Sequence, residues 1–149
     1  MTRSTVALIA TIALIAGCAT SPKDVASPDW IEPGQAVLAA AAAPREGVTG
    51  TFVLTVKAVG RDRDHLFLNS EEDYRDPRNI SIDILPDADA ELTHSLGASA
   101  DVALNGKRIL VSGTARRTRI DFTTGNRPSG KYYYQTHVRV GRASQIQIL

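Results

Sequence analysis

The sequence predicts a mainly β chain of about five strands, with one helix between the third and the fourth. Three observations carry that expectation. From Val48 onward, apolar residues recur at every second position, the pattern of half-buried strands. Between two such runs, Pro86–Gly97 has the start and stop signals of a helix. Turn-forming clusters at Gly60–Asp64, Ser70–Arg78, Asn105-Gly106 and Thr123–Lys131 punctuate the alternating runs.

In Thr51–Val59, Phe52, Leu54, Val56 and Ala58 share one face, and Thr51, Thr55 and Lys57 take the other. His65–Asn69 is the second strand, with Leu66 and Leu68 inward and His65, Phe67 and Asn69 outward. Asn79–Leu85 is the third, where Ile80, Ile82 and Ile84 oppose Ser81 and Asp83. Asp87 is the expected N-cap of the helix. Asp89 and Glu91 sit where the dipole favours anions, Gly97 stops it, and Leu92 and Leu96 point to the core. The fourth strand, Lys107–Ala115, places Ile109 and Val111 inward, with Gly113 and Ala115 following in phase where small residues suit a tight bend. It has the pattern to run on through Ile120 and Phe122. Thr123–Lys131 reads as a hairpin loop, and Tyr132–Val140 as the fifth strand, with Val138 and Val140 inward. Ile146, Ile148 and Leu149 end the chain in extended form.

Upstream the pattern differs. Arg3 precedes an apolar run, Val6–Ile15, with small residues after it, the layout of a secretory signal. The run is far short of the ~20 residues that a membrane-spanning helix needs. Its close, Leu14-Ile15-Ala16-Gly17-Cys18, resembles the lipobox of bacterial lipoproteins. The resemblance implies cleavage before Cys18 and acylation of that residue; the alternative is an ordinary signal peptide with Cys18 as a chance thiol. Residues 1–17 are then the signal, and 18–47 a Pro/Ala-rich tether. In that tether Gln35–Ala43 has the composition of a short helix, either a spacer or docked on the domain. Residues 48–149 form the domain.

Three strands, a helix and two strands is an order that resembles the OB-fold, a small Greek-key barrel. Gly106-Lys107-Arg108-Ile109-Leu110-Val111-Ser112-Gly113 is similar to many fourth strands of such barrels. Ser144-Gln145-Ile146-Gln147-Ile148 is similar to the last strand of OB-like domains in bacterial envelope proteins, several of them thermonuclease-related. The acids and arginines of that nuclease have no residue-by-residue match here, so the resemblance implies fold alone. Ala19 stands where an Asp retains some bacterial lipoproteins in the inner membrane, and its presence points, by resemblance, to the outer membrane.

With one cysteine, and that one the expected lipid carrier, the domain folds without disulfides. The net charge of +1 conceals an asymmetry: Ala19–Asp101 holds fifteen acidic and seven basic residues, whereas Val102–Leu149 holds nine basic residues and one acid, Asp121. Either the basic third serves a polyanion, or the two parts neutralise each other across the sheet. The second is the expectation, with Asp83 and the Asp62/Asp64 loop set against Arg127, Lys131 and Arg139.

Chemistry-bearing motifs are sparse. His65, His94 and His137 lack zinc-site spacing. Arg61 and Arg63 interleave with Asp62, Asp64 and His65, and Arg75 and Arg78 with the acids of 71–76. The first is a charged turn whose arginines would repel a cation, and the second reads as a salt-bridged solvated loop and not as a calcium site. No nucleophile elbow, phosphate loop or dinucleotide fingerprint is present. No catalytic residue, metal or cofactor is therefore expected. The candidate ligand or partner surface is the outward set Phe67, Tyr133, His137 and Arg139, bordered by Arg127 and Lys131. Rings beside guanidinium and amide groups suit stacking and interfaces; the alternative is a long hairpin whose tyrosines only pack. The sequence thus points to a periplasm-facing envelope protein, held to the membrane by its lipid and acting as a non-catalytic protein-interaction or structural accessory. An OB-like binding module for an oligosaccharide, nucleic acid or other polyanion is the second reading. An envelope protein is the expected partner, and nucleic acid is not expected.

Overall fold

The computed structural model describes residues 29–125 and 127–149, so the signal, Cys18 and the first part of the tether lie outside the described residues. The chain is mainly β. Its elements are β1 (Trp30–Ile31), α1 (Pro33–Ala42), β2 (Val48–Thr55), β3 (Ala58–Asp62), β4 (His65–Asn69), β5 (Ile80–Ile84), α2 (Pro86–Leu96), α3 (Ala100–Leu104), β6 (Arg108–Thr124), β7 (Arg127–Val140) and β8 (Ile146–Ile148). The sheet runs β1-β2-β6-β7-β5-β4-β3, with β8 alongside β6.

Among the described residues there are eight strands where about five were expected, for three physical reasons. The first expected strand divides at Val56 and Lys57. Val56 N–H donates to Lys107 O (2.9 Å), while Lys57 N–H donates to Asn69 O (2.9 Å). One continuous stretch therefore pairs with β6 through β2 and with β4 through β3. The C-terminal segment is a true strand, β8, antiparallel to the start of β6. Upstream, β1 adds parallel to β2.

The Ala-rich segment docks. Pro33 opens α1, Glu32 N–H is capped by Gln35 Oε1 (3.0 Å), and Ala36 and Ala40, one turn apart, are fully buried. They belong to the same core as Phe52 and Ile109, so α1, placed by the sequence in the tether, packs on the same body as the strands that follow it. Two helices, not one, separate β5 from β6. Leu85, not Asp87, is the N-cap of α2, because Pro86 takes the first helical position; Gly97 ends the helix at φ +67°. The expected loop Thr123–Lys131 is mostly strand: β6 and β7 run to Thr124 and from Arg127.

The inward faces follow the sequence alternation except on β3, where the division at Val56-Lys57 shifts the phase: Ala58, expected inward, lies opposite Asn69 on the outer face, and Val59, opposite Leu68, packs on the core. Ile80, Ile82, Ile84, Leu66, Leu68, Val138 and Val140 are each fully buried. Gly113 is small for a packing reason: a Cβ there would lie 2.8 Å from Val138 Cγ1. No helix among the described residues is long and apolar enough to cross a membrane.

Ile82 sits at the centre of this core with no exposed surface. Ile82→Ala is expected to cost roughly 2–5 kcal/mol in chemical denaturation. A loss under about 1 kcal/mol, the scale of a surface change, would contradict the packing described.

Candidate ligand groove

β4, β5 and β7 are neighbours in the sheet, and their outward side chains form one surface. Register sets the juxtapositions. Phe67 lies opposite Asp83 and Asn69 opposite Ser81 across β4 and β5; Ser81 meets His137 and Asp83 meets Arg139 across β5 and β7. The parallel ladder between β5 and β7 thus carries the site from one half of the chain to the other.

Over this surface lies an open groove of about 460 Å³. Phe67, Asn69, Ser81 and His137 form its floor. Gly60–Asp62, Tyr74, Ile120 and Tyr133 form its walls. The Phe67 ring lies 6.1 Å from His65 and 6.0 Å from His137, centroid to centroid. Tyr133 packs against Phe122 at 5.2 Å.

A buried amide holds the floor. Asn79 Nδ2–H donates to Asn69 Oδ1 (3.0 Å), Ser81 Oγ (3.1 Å) and Tyr74 O (3.2 Å), and its Oδ1 accepts from Glu71 N–H (3.1 Å). Ser81 Oγ–H closes the ring on Asn69 Oδ1 at 2.5 Å. The wall is fixed similarly. Gln135 Nε2–H donates to Tyr133 Oη (3.0 Å) and Tyr74 O (3.2 Å), and Gln135 Oε1 accepts from His137 Nε2–H (2.6 Å). Polar groups satisfied this fully make a rigid, pre-organised surface.

The charges beside the groove are mostly paired, while Asp62 on its wall has no ion-pair partner among the described residues. Asp83, nearly buried, accepts from His65 Nδ1–H (2.6 Å) and Arg139 Nε–H (3.3 Å). Arg61 is held by Asp89 at 2.7 Å and by Asp101 at 3.7 Å. Burial pushes the His137 ring below the ordinary histidine value; Asp83 opposes that shift and Arg139 adds to it. Burial likewise raises the Tyr133 phenol. His137 is thus neutral near pH 7, in the tautomer that donates from Nε2.

Of the residues read from the sequence, Phe67, Tyr133 and His137 come together here. Arg139 lines an adjoining hollow of about 420 Å³ with Asp83, Arg116 and Thr118, which shares His137 with the groove. Arg127 and Lys131 do not border either; both are exposed near the far end of the β6–β7 hairpin. Tyr74, Asn79 and Ser81 are site residues that the sequence reading does not select; Asp83, expected as a counter-charge, meets Arg139 but neither Arg127 nor Lys131 among the described residues. Ser81 and Asp83 do carry a signal in the sequence, since the Ile80/Ile82/Ile84 alternation turns them outward between β4 and β7. Asn79 and Tyr74 follow from the loop's path alone.

The charge asymmetry resolves in part as expected: Arg139 meets Asp83, Arg142 meets Glu91 at 3.3 Å and Arg108 meets Glu32 at 3.8 Å. The Asp62/Asp64 loop forms no ion pair with Arg127 or Lys131 among the described residues. In the acidic loop Asp73 pairs with Arg75, and Arg78, through its guanidinium and its N–H, holds the Asp76 carboxyl at about 2. Among the described residues, no group of three or more His, Cys, Asp or Glu could hold a metal ion.

No protein-family model matches the chain, and no curated protein matches it. Solved structures similar to it include an aspartyl tRNA synthetase from Entamoeba histolytica (TM-score 0.46, 12% identity, 99% of this chain and 28% of that one). Another is a putative aspartyl-tRNA synthetase from Leishmania major Friedlin (TM-score 0.45, 11% identity, 91% of this chain and 23% of that one). The chain spans about a quarter of the length of each.

A depressed His137 pKa has a definite sign. The folded ring resists a proton that the unfolded ring accepts, so this residue's contribution is intact above the ordinary value of about 6.5 and is lost as pH falls through it. His137→Gln is therefore expected to lose less stability than the parent between neutral pH and mild acid, in melting curves at the two pH values. Equal losses would show that burial does not hold the ring neutral.

Proposed function

We propose that this chain is a non-catalytic accessory module of a bacterial envelope, lipid-anchored through Cys18, and that it works by holding a ligand in the groove between Phe67, Tyr74 and Tyr133. Its body is an OB-like Greek-key barrel. The bend at Val56-Lys57 supports this, since one stretch of chain pairs with the strands at both ends of the β6-β7-β5-β4 order. Within such a barrel the two helices between β5 and β6 fill the place of the single expected one.

The observation that carries the function is the make-up of the groove: half-buried aromatic rings over amide and hydroxyl groups locked by hydrogen bonds, with the neighbouring charges mostly paired. Its volume, about 460 Å³, falls in the range of small-molecule sites. Rings offer apolar contact to the flat faces of sugar rings, and fixed amides match hydroxyls. With Arg61, Asp83 and Arg139 already neutralised, the surface favours an uncharged segment over a polyanion. Among the ligand classes read from the sequence, an oligosaccharide fits best. An envelope supplies such polymers.

Binding of uncharged N-acetylhexosamine oligomers, followed by calorimetry, tests this. Phe67→Ala and Tyr133→Ala are each expected to weaken binding by roughly tenfold, about 1.4 kcal/mol. The affinity is expected to change little with added salt. Affinity that collapses as salt rises would mark a polyanion ligand instead. No binding by the parent chain, or parent-like binding by both variants, would remove the groove from the account.

A further inference from the structure

Beyond Ala115 the β6–β7 hairpin leaves the rest of the sheet. β2 pairs with β6 only as far as Ala115, and β5 pairs with β7 only from Thr136 onward. Residues 116–125 and 127–135 thus form a two-stranded ribbon that pairs with no other strand, its base touching the body through Arg116 and Gln135. That stretch holds five basic residues and one acid, Asp121. The face turned away from the groove carries guanidinium groups on tyrosine rings: Arg117 lies 3.7 Å from the Tyr134 centroid and Arg119 4.1 Å from that of Tyr132. Both rings are exposed, as is Phe122 on the opposite face. Among the described residues, Arg117, Arg127 and Lys131 have no carboxylate partner.

β1 begins at the same end of the sheet. β1 runs parallel to β2 and hence antiparallel to β6, so the chain enters Trp30 from the end of the sheet at which the ribbon projects. Trp30 is level with Thr51, and Thr51 with Ser112. From Ser112 to Thr124 a strand spans ~40 Å at 3.3 Å per residue. From Cys18 to Trp30 a fully extended chain also reaches at most ~40 Å. A lipid on Cys18 would therefore hold Trp30, and the end of the sheet from which the ribbon projects, within about one ribbon length of the bilayer.

We infer that the ribbon is a second membrane contact, in which Arg117, Arg127 and Lys131 meet the phosphates of anionic phospholipids while Tyr132 and Tyr134 sit at headgroup level. The inference rests on the lipid anchor proposed above. Tyrosines are favoured at membrane interfaces, and a polybasic patch supplies the second signal that firm anchoring by acyl chains often uses. Each basic side chain at an anionic surface adds about fivefold to partitioning. The Arg117 guanidinium is held on the Tyr134 ring, which leaves its N–H edge oriented for phosphate, whereas that of Arg119 is taken by Asp121 at 2.7 Å.

The test uses the full-length acylated chain on vesicles of phosphatidylcholine alone, and on vesicles of phosphatidylcholine and phosphatidylglycerol in equal parts. Flotation reports the anchor, and amide hydrogen exchange over 117–134 reports the ribbon. The chain is expected to float with both vesicles, with Cys18→Ala abolishing acylation. The ribbon amides are expected to exchange at least tenfold more slowly only where phosphatidylglycerol is present. The triple variant Arg117→Gln/Arg127→Gln/Lys131→Gln is expected to float and melt like the parent while losing that protection; Arg127→Glu/Lys131→Glu provides a second, tip-only variant with the same expectation. Flotation with equal exchange on the two vesicles overturns the ribbon contact and leaves the anchor standing. Failure to float on phosphatidylcholine overturns the anchor, and the inference with it. Equal protection by a single-stranded oligodeoxynucleotide on phosphatidylcholine vesicles would assign the ribbon to a polyanion and overturn the bilayer reading.

Discussion

The parallel pairing of Ile80–Ile84 with Thr136–Val140 is the contact on which both the core and the groove depend. A parallel pair cannot be made by a tight turn; it requires a long crossover. Here the crossover consists of α2, α3, β6 and the hairpin. The ladder's inner side places three isoleucines against Val138 and Val140 with no exposed surface. Its outer side places Ser81 beside His137 and Asp83 beside Arg139. Because side chains alternate, one register fixes both faces; a slip of one residue would turn the isoleucines outward and dismantle the groove floor in the same step.

Alternation is also why this part of the chain was legible. The Ile80/Ile82/Ile84 face, the outward set on β7 and the helix stop at Gly97 each follow from a local signal. Other features have no such signal. Whether Gln35–Ala43 docks depends on a distant surface that accepts Ala36 and Ala40. The division at Val56-Lys57 depends on which carbonyl each N–H finds, Lys107 or Asn69. The length of the ribbon was masked by Gly125, Pro128 and Gly130. Pro128 is tolerated in β7 because that half of the strand pairs on one side only. In the groove, the rings were readable from strand phase, but Asn79 and Tyr74 reach it through the folding of a polar loop.

Electrostatics divides the basic third of the chain in two. At the base of the hairpin Arg139 and Arg142 are matched by Asp83 and Glu91, acids from earlier in the sequence, and these pairs join the halves of the fold. Both arginines are mostly exposed, so the pairs contribute position more than stability. Farther out, the ribbon has basic residues and a single acid. The groove is thus close to neutral and the ribbon strongly positive, which suits two surfaces of one module to different ligands.

The central claim, that the outer face of β4, β5 and β7 is a binding site, is tested most directly by mapping backbone amide shifts while an uncharged N-acetylhexosamine oligomer is titrated in. The account predicts that shifts concentrate at Phe67–Asn69, Ser81–Asp83 and Tyr133–His137, with lesser changes at Gly60–Asp62 and Tyr74. Shifts confined to the ribbon's far face or to α1, or no shifts at saturating oligomer, would contradict it.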